Sequence, residues 1–384
     1  MLHGSNIPTP EPLAIASSEC ALTAARAAIT FLRMILNRNS GTAMSDSTFS
    51  RTIGRGLGLA VLVLAAAVPA LQAQEKVVTV YSSRSHYGAE SVFTDFTKAT
   101  GIEVKFFNGN ANEVLERLKA EGSRTNADVF LTVDVGNLWY ASNQGLLQPV
   151  QSATLEKVVP AYLRDPQKEW FGIAMRARTI AYSKERVKPS ELTGYASLAE
   201  PKWKGRLCLR TSSSVYNQSL LAALIALHGE AETEKMVRGW VANQPKYFNN
   251  DTQLLEAIAA GQCDVGIVNH YYLGRLLQQK PNLPVGLFWA DQQGAGTHVN
   301  ISGIAVVKNA KHRDNAIKLI EYLLQPEVQS QLVAESYEFP ANQAAKPNMI
   351  VGTFGTFKPQ RLGVEIAGQY QAAAVKLADR AGYR

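Results

Sequence analysis

From Lys76 onward the spacing of apolar and polar positions changes period in a regular way. "KVVTVYS" predicts a buried strand, and Gly88 to Thr100 places Val92, Phe93 and Phe96 on one helical face before Gly101 ends the run. "IEVKFF" predicts the next strand, Asn112 caps a helix that turns Val114, Leu115 and Leu118 inward, and "ADVFLTV" predicts a further buried strand. Alternating strand and helix predict parallel βαβ units, so the fold class is α/β. Ligands in such sheets bind at the carboxyl ends of strands, where Tyr81 to Tyr87 falls.

A second α/β block runs from about Arg176 to His298, with strands at "RTIAYS", "GRLCLR" and "CDVGIVN" and helices at Gln218 to Leu227 and Thr252 to Ala260. Another strand, "GIAVVK", and a helix from Asp314 to Leu324, stopped by Pro326, follow it. There is no internal repeat and no low-complexity linker. The stretch "IVNHYYLGRL" breaks the pattern, because Tyr271 and Tyr272 come directly after the strand at Asp264 to Val268. Successive strand residues point to opposite faces, so a continuing strand cannot bury both phenols in one core.

The N-terminal region has a different pattern. Arg51 and Arg55 precede the apolar run "LGLAVLVLAAAVPA", which is short for a membrane span and is followed by "LQAQE". That order is a secretory signal over residues 44–73, with cleavage after Ala73, Ala70 being the other site. Residues 1–43 fit no signal pattern and read as a non-native or wrongly assigned extension; the other reading is an amphipathic helix from Ala21 to Leu36. The G-x-G-x-G run from Gly54 to Gly58 follows no strand and is no dinucleotide site. With the signal removed, no stable membrane insertion is expected of the mature chain.

Charge narrows the partners. Residues 1–73 carry five of the 39 basic and three of the 32 acidic side chains, which leaves the mature chain 34 basic against 29 acidic, a net of +5. That excess is spread along the chain without a Lys/Arg cluster, which argues against nucleic acid. Of the cysteines, Cys20 lies in the discarded region, while Cys208 and Cys263 remain either as a disulfide or as two buried thiols.

Two phrases, "ADVFLTVDVGNLWYASNQGLLQPV" and "AIKLIEYLLQPEVQSQLVAE", resemble signatures of periplasmic solute-binding proteins of ABC importers. Within that group "VYSSRSHYGAE", "RARTIAYS", "SSSVYNQSLLA" and "GQCDVGIVNHYYLGRL" resemble the ferric-iron-binding proteins, in order and over essentially the whole mature chain. The resemblance implies a two-lobed periplasmic-binding-protein fold, type II-like, with the ligand in the interlobe cleft. Carried onto this sequence, lobe one is residues 74–175 plus 299–350 and lobe two is residues 176–298 plus 351–384. It implies a monomeric periplasmic receptor that captures Fe(III) and delivers it to an inner-membrane permease and its ATPase, with no enzymatic step.

By the same resemblance the metal ligands are Tyr87, Tyr216, Tyr271 and Tyr272, with His86 as a further candidate. "SSRSHY" has one residue more than the "SSRHY" form of this subgroup, which changes the reach of that loop. Ferric ion is small, hard and trivalent and favours anionic oxygen; a phenol titrates near pH 10, so direct bonding to the cation must lower it, and binding must expel protons. Four phenolates on Fe(III) leave one negative charge. Arg176 and Arg178, on one face of a predicted strand, are the candidates to balance it or to hold carbonate or another synergistic anion.

Two other functions compete with this reading. The same fold serves organic or oxyanion solutes such as thiamine, polyamine or molybdate, with the tyrosines stacking on the ligand. A secreted hydrolase would need Ser212, Ser213 or Ser214 in a nucleophile elbow, but no G-x-S-x-G is present and these serines read as a turn capping the next helix. Asn269 and His270 are expected to support the ligands, and Tyr81, Tyr140, Tyr182 and Tyr195 to pack.

Overall fold

The computed structural model describes residues 75–84 and 90–384. The signal and extension assigned to residues 1–73, and the loop residues His86 and Tyr87, lie outside the described residues.

The first sheet grows from β1 (Val77–Ser82), which runs parallel to β2 (Glu103–Asn108) on one side and β3 (Val129–Thr132) on the other. Helix α1 (Ser91–Thr100) buries Val92, Phe93 and Phe96 and ends on Gly101, whose φ of 69° is the left-handed cap conformation that glycine reaches without strain. Helix α2 (Ala111–Glu121) buries Val114, Leu115 and Leu118 as the pattern predicts. Its cap is Asn110 rather than Asn112: the Asn110 side chain accepts from the Glu113 N–H while Glu113 reaches back, a reciprocal capping box that starts the helix two residues earlier. Helix α3 (Val135–Asn143) is capped by Asp134 at the carboxyl end of β3, and β4 (Leu147–Gln148) and α4 (Ala153–Val158) complete this part of the chain.

Strand β5 (Trp170–Ser183) is the spine of the molecule. Its first half, Trp170 to Ala177, pairs antiparallel with β10 (Val299–Val307), which itself pairs with β3 and β4. Its second half, from Arg178, pairs antiparallel with β8 (Val265–Asn269) and β9 (Val285–Phe288). Fourteen residues therefore cross from one sheet to the other, nearly all buried, which is why "WFGIAMRARTIAYS" reads as an almost unbroken apolar run around two arginines.

In the second sheet β6 (Leu207–Arg210) runs parallel to β8 and to β7 (Lys246–Phe248). Helix α5 (Val215–His228) follows β6, α6 (Glu230–Ala242) packs beside it, α7 (Asp251–Ala259) precedes β8, and α8 (His270–Gln279) follows β8 at once. Cys208 on β6 and Cys263 at the entry to β8 form a disulfide, with Cα atoms 5.9 Å apart. Gly266 permits this close pairing: a Cβ there would meet the Cys208 carbonyl at 2.7 Å and Leu254 at 2.6 Å.

After β10 come α9 (Arg313–Leu323) and α10 (Pro326–Ser336). Pro326 ends one helix and also opens the next, at the N1 position where its missing N–H costs nothing. Strand β11 (Phe339–Pro340) adds to β5, α11 (Met349–Gly352) follows, and α12 (Glu365–Arg380) packs on both α5 and α3.

Candidate functional site

The second sheet sends two parallel strands, β6 and β8, toward the same edge, and each gives way there to a helix whose first turn carries phenols. Tyr216 is the second residue of α5, and Tyr271 and Tyr272 are the second and third of α8. The strand ends at Asn269, so the packing conflict of a continuing strand does not arise. Helical geometry sets the two rings beside each other, stacked with centroids 4.4 Å apart. The Tyr271 hydroxyl donates to the Tyr216 hydroxyl at 3.3 Å, which together with the stack joins the three phenols in one cluster. Tyr271 is fully buried, Tyr216 nearly so, and Tyr272 half-buried.

Guanidiniums surround the phenols. Arg176 lies 5.0 Å and Arg210 5.2 Å from the Tyr216 ring centre, while Arg275 lies 5.1 Å from that of Tyr271. Arg210 also pairs with Asp251 at 3.7 Å. Burial pushes the Tyr216 phenol above its ordinary value, while Arg176, the Tyr271 hydrogen bond and Arg210 pull the other way. Tyr216 is therefore a neutral phenol near pH 7.

Arg176 and Arg178 do share a face, and both line the small space behind Tyr216 with Asn269, His298 and Asn300. Their partners divide. Arg178 donates to Asn217, Asp251, Asn269 and the Ile267 carbonyl, all in the second half, its ion pair with Asp251 closing at 3.0 Å. Arg176 pairs with Asp134 at 3.4 Å and Glu338 at 3.8 Å, both from the first half. Arg178 thus ties the starts of the Tyr216 and Tyr271 helices to the strand through Asn217 and Asn269, and Arg176 is the one of the two that reaches over a phenol ring.

Asn269 and His270 act as supports in distinct ways. The Asn269 N–H donates to Asp251, and the buried His270 accepts from the Ala177 N–H at 3.1 Å and stacks on Phe339. Burial holds the His270 imidazole down at about 4, so it is neutral near pH 7. The serine run opens α5, but Ser214 makes no side-chain cap; Asn217 instead donates to the carbonyls of Arg210 and Thr211 and closes the turn. Tyr81 and Tyr195 are buried packing residues with their hydroxyls on Glu121 and the Arg178 carbonyl, and Tyr140 and Tyr182 are half-buried.

Sequence reasoning did not find Arg210, Asp134, Asn300 or Glu338. Arg210 closes the strand "GRLCLR", so its place at a strand's carboxyl end was the available signal. Glu338 had none: it reaches the site from a short strand late in the chain. There it takes Arg84 at 2.8 Å, with a hydrogen bond from Ser302, and so ties the start of the "SRSHY" loop to Arg176. Burial pushes the Glu338 carboxyl up, but Arg84 and Arg176 outweigh it and hold it at about 2.

Two α/β halves joined by a crossing strand, with phenols and guanidiniums gathered in the helix turns beyond the strand ends, have the architecture of a two-lobed binding receptor. The chain belongs to the bacterial extracellular solute-binding proteins, whose family pattern matches residues 124–352. It is 42% identical over 320 residues to iron uptake protein A1 of Synechocystis sp., covering 81% of this chain and 88% of that one. It is 30% identical over 286 residues to the major ferric iron-binding protein of Neisseria meningitidis, covering 73% and 84%. Among solved structures, the Trichodesmium protein in complex with iron and citrate ligands is 43% identical, with a TM-score of 0.77 over 80% of this chain and 100% of that one. Among the described residues no helix is long and apolar enough to cross a membrane.

Proposed function

We propose that this chain is a periplasmic Fe(III) receptor that captures the ion through tyrosinates and delivers it to an inner-membrane ABC permease and its ATPase. The observation that carries this reading is the convergence of the Tyr216, Tyr271 and Tyr272 phenols in the first turns of two helices. Helix N-termini favour negative charge, so the backbone is arranged for phenolates before the metal arrives. The names of the relatives, ferric iron-binding and iron uptake proteins, support the same cargo.

The reading assigns Tyr216, Tyr271 and Tyr272 as metal ligands, with Tyr87 and His86 from the first lobe completing the shell. Arg176 balances the charge or meets carbonate or another synergistic anion. Arg178 holds the ligand-bearing helices to the crossing strand, and Arg210 adds a second guanidinium beside Tyr216 and Tyr272. Lobe one is then residues 74–175 plus 299–350 and lobe two residues 176–298 plus 351–384, a division supported by the switch of β5 partners between Ala177 and Arg178.

Titration with a ferric salt tests the reading. A visible phenolate-to-iron charge-transfer band should appear, and should vanish in the double variant Tyr271→Phe, Tyr272→Phe. A colourless wild-type protein that retains an organic molecule rejects it.

A further inference from the structure

Asp134 sits where the two halves of the molecule meet, and its carboxylate takes donors from four different elements. The Gly136 N–H caps α3 onto it at 2.8 Å, Asn300 on β10 donates at 2.9 Å, and Arg176 on β5 at 3.4 Å. The fourth donor comes from across the sheets: the Ser219 hydroxyl on α5 lies 3.1 and 3.0 Å from its two oxygens. Asp134 and Ser219 are both buried.

The placement of Ser219 makes this contact functional in kind. It lies three residues after Tyr216, on the same face of α5, so the face that presents the phenol also presents the hydroxyl. Helix α3 follows β3 of the first sheet and α5 follows β6 of the second, so the Asp134–Ser219 contact joins a helix of one sheet to a helix of the other. The positive end of α3 and the Arg176 guanidinium both lie against the Asp134 carboxyl group, which accepts from each of them. Helix α12 seals the same junction: Gln371 donates to Gln218 at 3.2 Å and abuts Gly136 so closely that a Cβ there would come within 2.5 Å of its Oε1.

We propose that Asp134 and Ser219 form a clasp that holds the molecule closed by locking the Tyr216-bearing helix of one half to the first helix turn beside β3 in the other. Both are positioning residues, acting through Tyr216 and Arg176 without touching the cargo. The proposal rests on the reading of this protein as a receptor that closes on Fe(III).

The test loads the purified protein with ferric iron and follows decay of the visible band in excess EDTA. Losing this buried hydrogen bond should make Ser219→Ala release iron several-fold to about tenfold faster. Asp134→Asn should do the same, and the double variant should be no faster than the quicker single one. Ser219→Thr, which keeps the hydroxyl, should restore slow release, and the band position should not move because the phenols are untouched. Release at the wild-type rate in Ser219→Ala overturns the clasp, and so does a double variant whose effects simply multiply. If Asp134→Asn does not fold, the Ser219 pair alone decides. If the wild type develops no band, the ferric reading has failed and the clasp is judged by small-angle X-ray scattering of the empty protein. There Ser219→Ala should enlarge the radius of gyration, and an unchanged radius overturns the proposal.

Discussion

Replacing Tyr271 by Phe removes one hydroxyl from the phenol cluster and leaves the ring that stacks on Tyr272. A phenol titrates near pH 10, so at about pH 7 each phenol that bonds to Fe(III) must give up nearly one full proton. Tyr216 sits above even that value because of its burial, so it too is fully protonated before loading. Three phenols converge, so loading should expel about three protons from this cluster, and about two in Tyr271→Phe. By linkage, the ferric affinity of the wild type falls as pH falls, and the slope in the variant is shallower by about one decade per pH unit. The assay loads both proteins from the same ferric chelate in weak buffer with an indicator dye, so protons taken up by the released chelator cancel in the difference. Equal proton release from the two proteins, with the charge-transfer band present in both, would refute ligation by Tyr271.

The remaining predictions concern the frame around the phenols. The Cys208–Cys263 disulfide spans 55 residues, a loop worth about 4 kcal/mol of denatured-state constraint, so Cys208→Ala with Cys263→Ala should lower the Tm by about 6 °C in calorimetry. Glu338 is held at about 2 against an ordinary value of 4.5, so its contribution, about 3 kcal/mol, is present above pH 4.5 and lost as pH falls toward 2. Denaturant melts across that window should therefore show a weaker acid dependence in Glu338→Gln than in the wild type. Gly266→Ala should cost about 1–3 kcal/mol in the same melts, because its Cβ would press on the Cys208 carbonyl at 2.7 Å and force apart the strands that lead into the phenol-bearing helices.

What could be read from the sequence was whatever rests on short-range periodicity. The faces of α1 and α2 follow from three apolar positions each, and β3 and β8 from short runs of Val, Ile, Leu and Phe. The paired tyrosines were visible as an anomaly for the same reason, since no strand continuation could accommodate them. The errors came from helix ends, where one side chain decides: Asn110 displaced Asn112 because only it lies three residues before a glutamate able to reach back. What could not be read was the long-range pairing of charges. Arg84 and Glu338 are 254 residues apart, and nothing local in "SYEFPAN" announces a carboxylate that meets two arginines beneath the site. The disulfide had the same character, for two cysteines 55 residues apart became a pair only once β6 and β8 were adjacent.

The two arginines of "MRAR" show how one strand keeps two halves in register. A strand places residues i and i+2 on one face, so Arg176 and Arg178 had to emerge side by side. The pairing of β5 changes between them, from β10 to β8, so neighbouring guanidiniums belong to different sheets. Each is buried, and a buried charge must be matched locally, which forces Asp134 and Glu338 from one half and Asp251 from the other to their positions. Arg178 then fixes the roots of the Tyr216 and Tyr271 helices through Asn217 and Asn269, while Arg176 brings the first half's carboxylates to bear on the Tyr216 ring. A rotation of one half against the other about this strand would therefore change the charge beside the Tyr216 ring.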